Sequence, residues 1–174
     1  MMTGQLELLV FAYPDETSAD EALKKLKQLK KDGLIDIVNA AVIVKDEKGK
    51  VHTKETADPG AKEGALFGAV VGGLIGLIGG PAGVVIGATA GAGTGSVAAK
   101  KIDMGIPDDQ IQELASSLNE GNSAIVAVID HTSVDKVLEE VEDDAESVLR
   151  QSVKDEITEQ LSAPHEEGED SSAE

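Results

Sequence analysis

GALFGAVVGGLIGLIGGPAGVVIGATAGAGTGSVAA, residues 64–99, is the longest uncharged stretch of the chain, lying between Glu63 and Lys100, and glycine recurs through it every four residues. One ladder runs Gly60, Gly64, Gly68, Gly72, Gly76 and Gly80; a second runs Gly83, Gly87, Gly91 and Gly95. The spacing is helical, and the length suits two helices joined at Gly79-Gly80-Pro81-Ala82. Glycine inside a helix costs roughly 0.5–1 kcal/mol relative to alanine, so helices carrying this many require a compensating contact. Small residues at i and i+4 flatten a helix and let a second backbone approach, with van der Waals and Cα–H···O contacts as the gain. Four residues advance a helix by about 400°, so the flat stripe drifts about 40° per step and turns through roughly 160° from Gly64 to Gly80. One straight partner cannot cover it. Part is expected to meet the other arm and part a neighbouring copy, which makes residues 59–101 an inserted glycine-zipper hairpin that drives homo-oligomerisation.

The flanks read as one domain interrupted by this insertion. Residues 6–12 are a short buried strand ended by Tyr13-Pro14. Thr17 and Ser18, with Asp20 and Glu21 three residues on, predict a capping box, and Ala19, Ala22, Leu23, Leu26 and Leu29 form the apolar stripe of a helix stopped at Gly33. Lys24, Lys25, Lys27, Lys30 and Lys31 take its other face. A strand over 35–45, the turn Asp46-Glu47-Lys48-Gly49 and a strand over 50–56 make a hairpin. Beyond the ladders, Pro107, Asp108 and Asp109 open a helix with Ile111, Leu114, Ala115 and Leu118 at helical spacing that ends by Gly121, and Ala124 to Ile129 is a buried strand. Asp130-His131-Thr132-Ser133 caps a short acidic helix, Ser147 to Val153 is a further strand, and Asp155 to Leu161 a last helix. The fold class is therefore α+β: a ferredoxin-like (split βαβ) antiparallel sheet with both helices on one face, built from 1–58 and 102–161 with a C-terminal strand/helix extension, and followed by a disordered acidic tail, 162–174. Its other face needs a cover or a partner.

Charge divides the chain in the same way. Of the net −18, residues 1–101 contribute nothing, with twelve basic and twelve acidic side chains, while residues 102–174 hold three basic and 21 acidic ones. A second half this acidic, in a chain with one arginine, one tyrosine, two phenylalanines and no tryptophan in all, offers neither counterion release nor base stacking, and no nucleic-acid partner is expected. The absence of cysteine excludes disulfides, thiolate metal sites and cysteine nucleophiles, and suits a reducing compartment. The N-terminus lacks a basic region and a long apolar run, so no signal peptide is predicted.

The chain departs from the common motifs of chemistry. Gly95 is followed by Ser96 and Val97 instead of the Lys-Ser/Thr of a P-loop, and the dinucleotide fingerprint starting at Gly91-Ala92-Gly93 meets Ser96 where its third glycine belongs. His52, His131 and His165 share no ligand spacing, and the acidic run from Glu139 to Glu146 lacks the calcium-loop pattern. No catalytic residue, metal or cofactor is expected.

Membrane contact stays open beside protein contact. Leu66, Phe67, Val70, Val71, Leu74, Ile75 and Ile78 make the first arm apolar enough for lipid, and Lys62 with Lys100 and Lys101 holds both ends on one side. The second arm is poor in large apolar residues, and no Trp or Tyr anchors either end. The chain is expected in the cytoplasm, peripheral to or hairpin-anchored at the inner face of the cell membrane. The alternative is a soluble self-assembly, a filament, tube or shell, with the hairpins buried between subunits; a third reading is a small-ligand sensor or enzyme using the sheet face.

Residues 39–52 (NAAVIVKDEKGKVH), the glycine ladders after them and Gly105-Ile106-Pro107-Asp108 resemble a widespread prokaryotic family known as a domain of unknown function, over roughly residues 6–161. The resemblance implies a membrane or stress-related label and carries no catalytic residues.

Overall fold

A computed structural model describes residues 5–55, 71, 85–86, 108–153 and 155. The chain runs β1 (Leu6–Tyr13), α1 (Ser18–Lys31), β2 (Ile37–Lys45), β3 (Val51–Glu55), β4 (Val85–Ile86), α2 (Asp108–Ser117), β5 (Asn122–Asp130), a 3-10 turn (His131–Ser133), α3 (Val134–Val141) and β6 (Ser147–Ser152). The class is α+β, and the strands form one sheet in the order β4-β3-β2-β5-β1-β6. All neighbours are antiparallel except the two-residue β4, which lies parallel to β3.

Burial explains this order. Every residue of β1 and β5 is buried, so both strands need neighbours on each side and cover on each face, and they lie in the middle of the sheet. β3, with half-buried His52 and Thr53, suits a place nearer the edge. A ferredoxin-like sheet would put the hairpin strand β3 between β1 and β2; here β5 takes that position, pairing Val10 with Val126 on one side and Ala41 with Val126 on the other. The β1-α1-β2 unit is still split by one strand.

Alternation along the strands divides the core in two. Leu9, Phe11, Tyr13, Val42, Ile125 and Ile129 meet α1 through Ala19, Ala22, Leu23 and Leu26, and α3 through Val134, Val137 and Val141. Leu6, Leu8, Val10, Ala12, Ala41, Ile43, Ala124, Val126 and Val128 face the other way, packing with Val51, Val71, Leu118 and Val153. That second face is closed within the chain, for these residues are at most 2% exposed. The expectation of both helices on one face changes accordingly: α1 and α3 share a face, while α2 lies beside β6 and leads Leu118 into the opposite cluster.

The start of α1 is set differently from the expected capping box. Thr17 makes no side-chain cap; Asp15 accepts from the amides of Thr17 and Ser18, both at 2.8 Å, and from both their hydroxyls. A carboxylate two or three residues ahead of the amides reaches them without the helix having to bend back. Ser123 ties this start to β5, donating to the Asp15 carbonyl and accepting from the Ala19 amide. The helix ends at Lys31 with Asp32 as its C-cap, and Gly33 just beyond has a φ of +70°, which strains any residue with a Cβ. In the β2–β3 turn, Gly49 has φ +74° and Asp46 accepts from the amides of Lys48 and Lys50. Of the expected last helix, 155–161, Asp155 is described and is helical.

Candidate functional site

The candidate interaction element is the segment between β3 and α2, and two of its points are placed. Val71 is helical, 2% exposed, and part of the core on the second face of the sheet. Val85 and Ile86 pair with Val51 and His52, extending the sheet past β3. The expected second helical arm is corrected at these two residues. A run of β-branched side chains, Val84-Val85-Ile86, favours an extended backbone, and the outer side of β3 offers it a hydrogen-bonding edge.

Val71, expected among the residues contacting lipid or partner, thus lies against its own sheet. The other expected positions, namely the ten ladder glycines, Leu66, Phe67, Val70, Leu74, Ile75, Ile78, Lys62, Lys100 and Lys101, lie outside the described residues, as does the tail 162–174. No helix among the described residues is long and apolar enough to cross a membrane.

A buried polar cluster is the part of the domain that the sequence did not announce. Glu7, in the middle of an apolar strand, keeps 4% of its side chain exposed. Arg150 Nε lies 3.0 Å from its Oε2, while His131 Nδ1 at 2.9 Å and Ser152 Oγ at 3.3 Å reach Oε1. Burial pushes the Glu7 carboxyl up, but the hydrogen bonds from Arg150 and His131, with that of Ser152, outweigh it and hold the group below its ordinary range. Arg150 and His131 keep 41% and 53% of their side chains exposed, so the cluster is a charged staple from surface to core. A hint was available in a lone glutamate within an apolar strand and the chain's single arginine, 143 residues apart.

Tyr13 is also fully buried, and its hydroxyl donates to the Val141 carbonyl at the end of α3 over 2.9 Å. Burial, helped by the charge of Asp144, pushes its phenol well above the usual value. His52 Nε2 lies 2.8 Å from Asp46 Oδ2, inside the β2–β3 turn, and that contact together with the Lys50 and Lys48 amides holds the Asp46 carboxyl low. These two histidines serve different turns and do not converge. Among the described residues no group of three or more His, Asp or Glu could hold a metal ion. A depression of about 20 Å³ beside Tyr13, Ser18, Lys25 and Asp144 has room for roughly one water. Another, beside Glu16, Asp46, Glu47 and Lys48, opens widely to solvent.

The fold and its charged staples therefore describe an α+β domain whose sheet is met by Val71, Val85 and Ile86 of the glycine-rich segment. This chain belongs to the family described as "Protein of unknown function (DUF1269)", whose profile matches residues 65–164, from the first glycine ladder through β6. No curated protein and no solved structure matches it.

Proposed function

We propose that the protein is a non-enzymatic, self-associating protein in which residues 59–101 act as a glycine-zipper hairpin holding copies together. The observation that carries this reading is the period-four ladder taken with the position of Val71. In a regular helix through this segment, at about 100° per residue, Gly64 lies roughly 20° from Val71, Gly72 about 100° and Gly80 about 180°. In such a helix the stripe would begin on the side of the sheet and end facing away from it. Gly64 then lets the helix approach its own domain, while Gly72, Gly76 and Gly80 leave flat backbone for another helix. The test is the molar mass of the full chain against those of Gly64→Leu and Gly76→Leu.

A second reading, contact with a lipid bilayer, is favoured by the apolar run of Leu66, Phe67, Val70, Leu74, Ile75 and Ile78 between Lys62 and the Lys100-Lys101 pair. Flotation with liposomes separates the two. Recovery in the lipid fraction at high salt supports bilayer contact, and a large lipid-free particle supports a soluble assembly.

A further inference from the structure

Lys24, Lys27 and Lys31 are exposed on α1 and spaced three and four residues apart, so they form one stripe. Among the described residues none of them has an acidic partner. The other lysines of the helix are engaged: Lys25 Nζ donates to the Glu140 carbonyl at 3.3 Å and Lys30 Nζ to the Ile37 carbonyl at 2.9 Å. Lys25 thereby marks the flank of α1 that faces α3. At about 100° per residue, the three free lysines lie at least roughly 100° round the helix from it, beyond reach of the acids of their own α3. On α3 itself Lys136 takes Glu139 at 2.9 Å and Glu140 at 3.1 Å, leaving exposed Glu142, Asp143 and Glu146 without a cation among the described residues.

We infer that the Lys24–Lys27–Lys31 face of one copy docks on the Glu142–Asp143–Glu146 surface of the next. The occupant is a second copy because the chain carries both halves of a complementary pair and sets the lysines on a different flank of α1 from the one that faces α3. Such a contact is heterologous, joining two different surfaces, and propagates into a ring or a filament. It rests on the self-association reading above and adds a second, electrostatic contact to the glycine one. Screening separates the two, since exposed charge pairs weaken as the Debye length falls from above about 10 Å below 0.1 M salt to about 3 Å at 1 M, whereas close backbone packing does not.

The experiment is light scattering on the full chain at low and high salt, with wild type, the triple variant Lys24→Glu/Lys27→Glu/Lys31→Glu, the triple variant Glu142→Lys/Asp143→Lys/Glu146→Lys, and an equimolar mixture of the two variants. Wild type is expected to lose at least about two-fold in mass from low to high salt. Each variant alone is expected to show the high-salt mass at both conditions. The mixture is expected to regain the low-salt mass, because each variant then supplies the surface that the other now needs; that recovery also shows that both remain folded. The inference is overturned by a wild-type mass that ignores salt, by a variant that keeps the salt-sensitive part, or by a mixture that recovers nothing while both variants retain native circular dichroism. It is equally overturned if the lysine variant keeps its mass but stops binding vesicles of anionic phospholipid, for the face is then a lipid site. The high-salt mass reports separately on the glycine contact, so the two readings fail independently.

Discussion

Arg150 grips Glu7 across the β1–β6 pair, with Nε 3.0 Å from Oε2 and Nη2 3.4 Å from Oε1, and so staples the last strand of the sheet to its buried centre. Replacing Glu7 by Gln keeps the shape and removes the charge that organises Arg150, His131 and Ser152. A loss of about 1.5–3 kcal/mol in unfolding free energy is expected in urea titration at neutral pH, the range for hydrogen bonds to a charged group.

The same carboxyl gives a pH signature. Its folded value lies below the ordinary 4.5, so the native state binds the proton less readily than the unfolded chain. The contribution is complete above 4.5 and is lost as pH falls through the lowered folded value. Glu7→Gln should therefore remove part of the acid-side slope of stability, and a variant whose slope matches wild type would contradict the staple.

Asp15 offers an independent acid-side test at the other end of β1. Hydrogen bonds from the Ser18 hydroxyl and from Thr17 lower its carboxyl to about 2 from an ordinary 3.8, so its stabilisation is complete above 3.8 and fades toward pH 2. Asp15→Ala is expected to cost about 1 kcal/mol, as for a lost N-cap, while Thr17→Val, which removes one hydroxyl donor and leaves both amide donors to Asp15 in place, should cost less.

Tyr13 tests the alkaline side. Burial favours the neutral phenol in the folded state, so its contribution is present below the ordinary value of 10 and is lost as pH rises toward the raised folded value. Tyr13→Phe is expected to cost about 1 kcal/mol at neutral pH through the bond to the Val141 carbonyl. It should also unfold at a higher pH than wild type relative to its own neutral stability. Thermal melts between neutral pH and pH 11 read both effects.

Val71 reports on the docking of the insertion. Val71→Ala is expected to lower stability by roughly 1–3 kcal/mol. Val71→Asp should free the segment from the sheet, exposing the face of Leu8, Val10 and Val126. Dye binding to apolar surface and faster amide exchange in β5 are the readouts, and unchanged exchange would mean that Val71 contributes nothing to that cover.

Element positions were legible because each depends on neighbours in the chain. The short apolar runs of β1, β2 and β5, the apolar stripe of α1, the turn at Asp46–Gly49 and the cap at Asp130, which accepts from the Thr132 amide, all follow from local sequence. The strand order was less so. Nothing within Ala124 to Ile129 states which strands flank it, although nine successive buried residues in β5 are what a central strand requires. The cap of α1 was missed because Thr17-Ser18 fits a capping box, whereas Asp15 lies nearer the strand and competes for the same amides. The Glu7 cluster escaped for a simpler reason: its members lie on three elements, and their meeting is a product of the β1–β6 register that sets Glu7 opposite Ser152.

The central claim is that the glycine ladder joins copies of the chain, and the mass of two leucine variants tests it most directly. By light scattering at high salt, Gly76→Leu is expected to drop to a smaller species with its melting temperature preserved, because a regular helix through Val71 would turn this position about 140° away from it. Gly64→Leu, which the same helix would set on the side of Val71, is expected to melt lower instead, by several degrees for a change of about 1–2 kcal/mol. A Gly76→Leu protein that keeps the full wild-type mass would contradict the account.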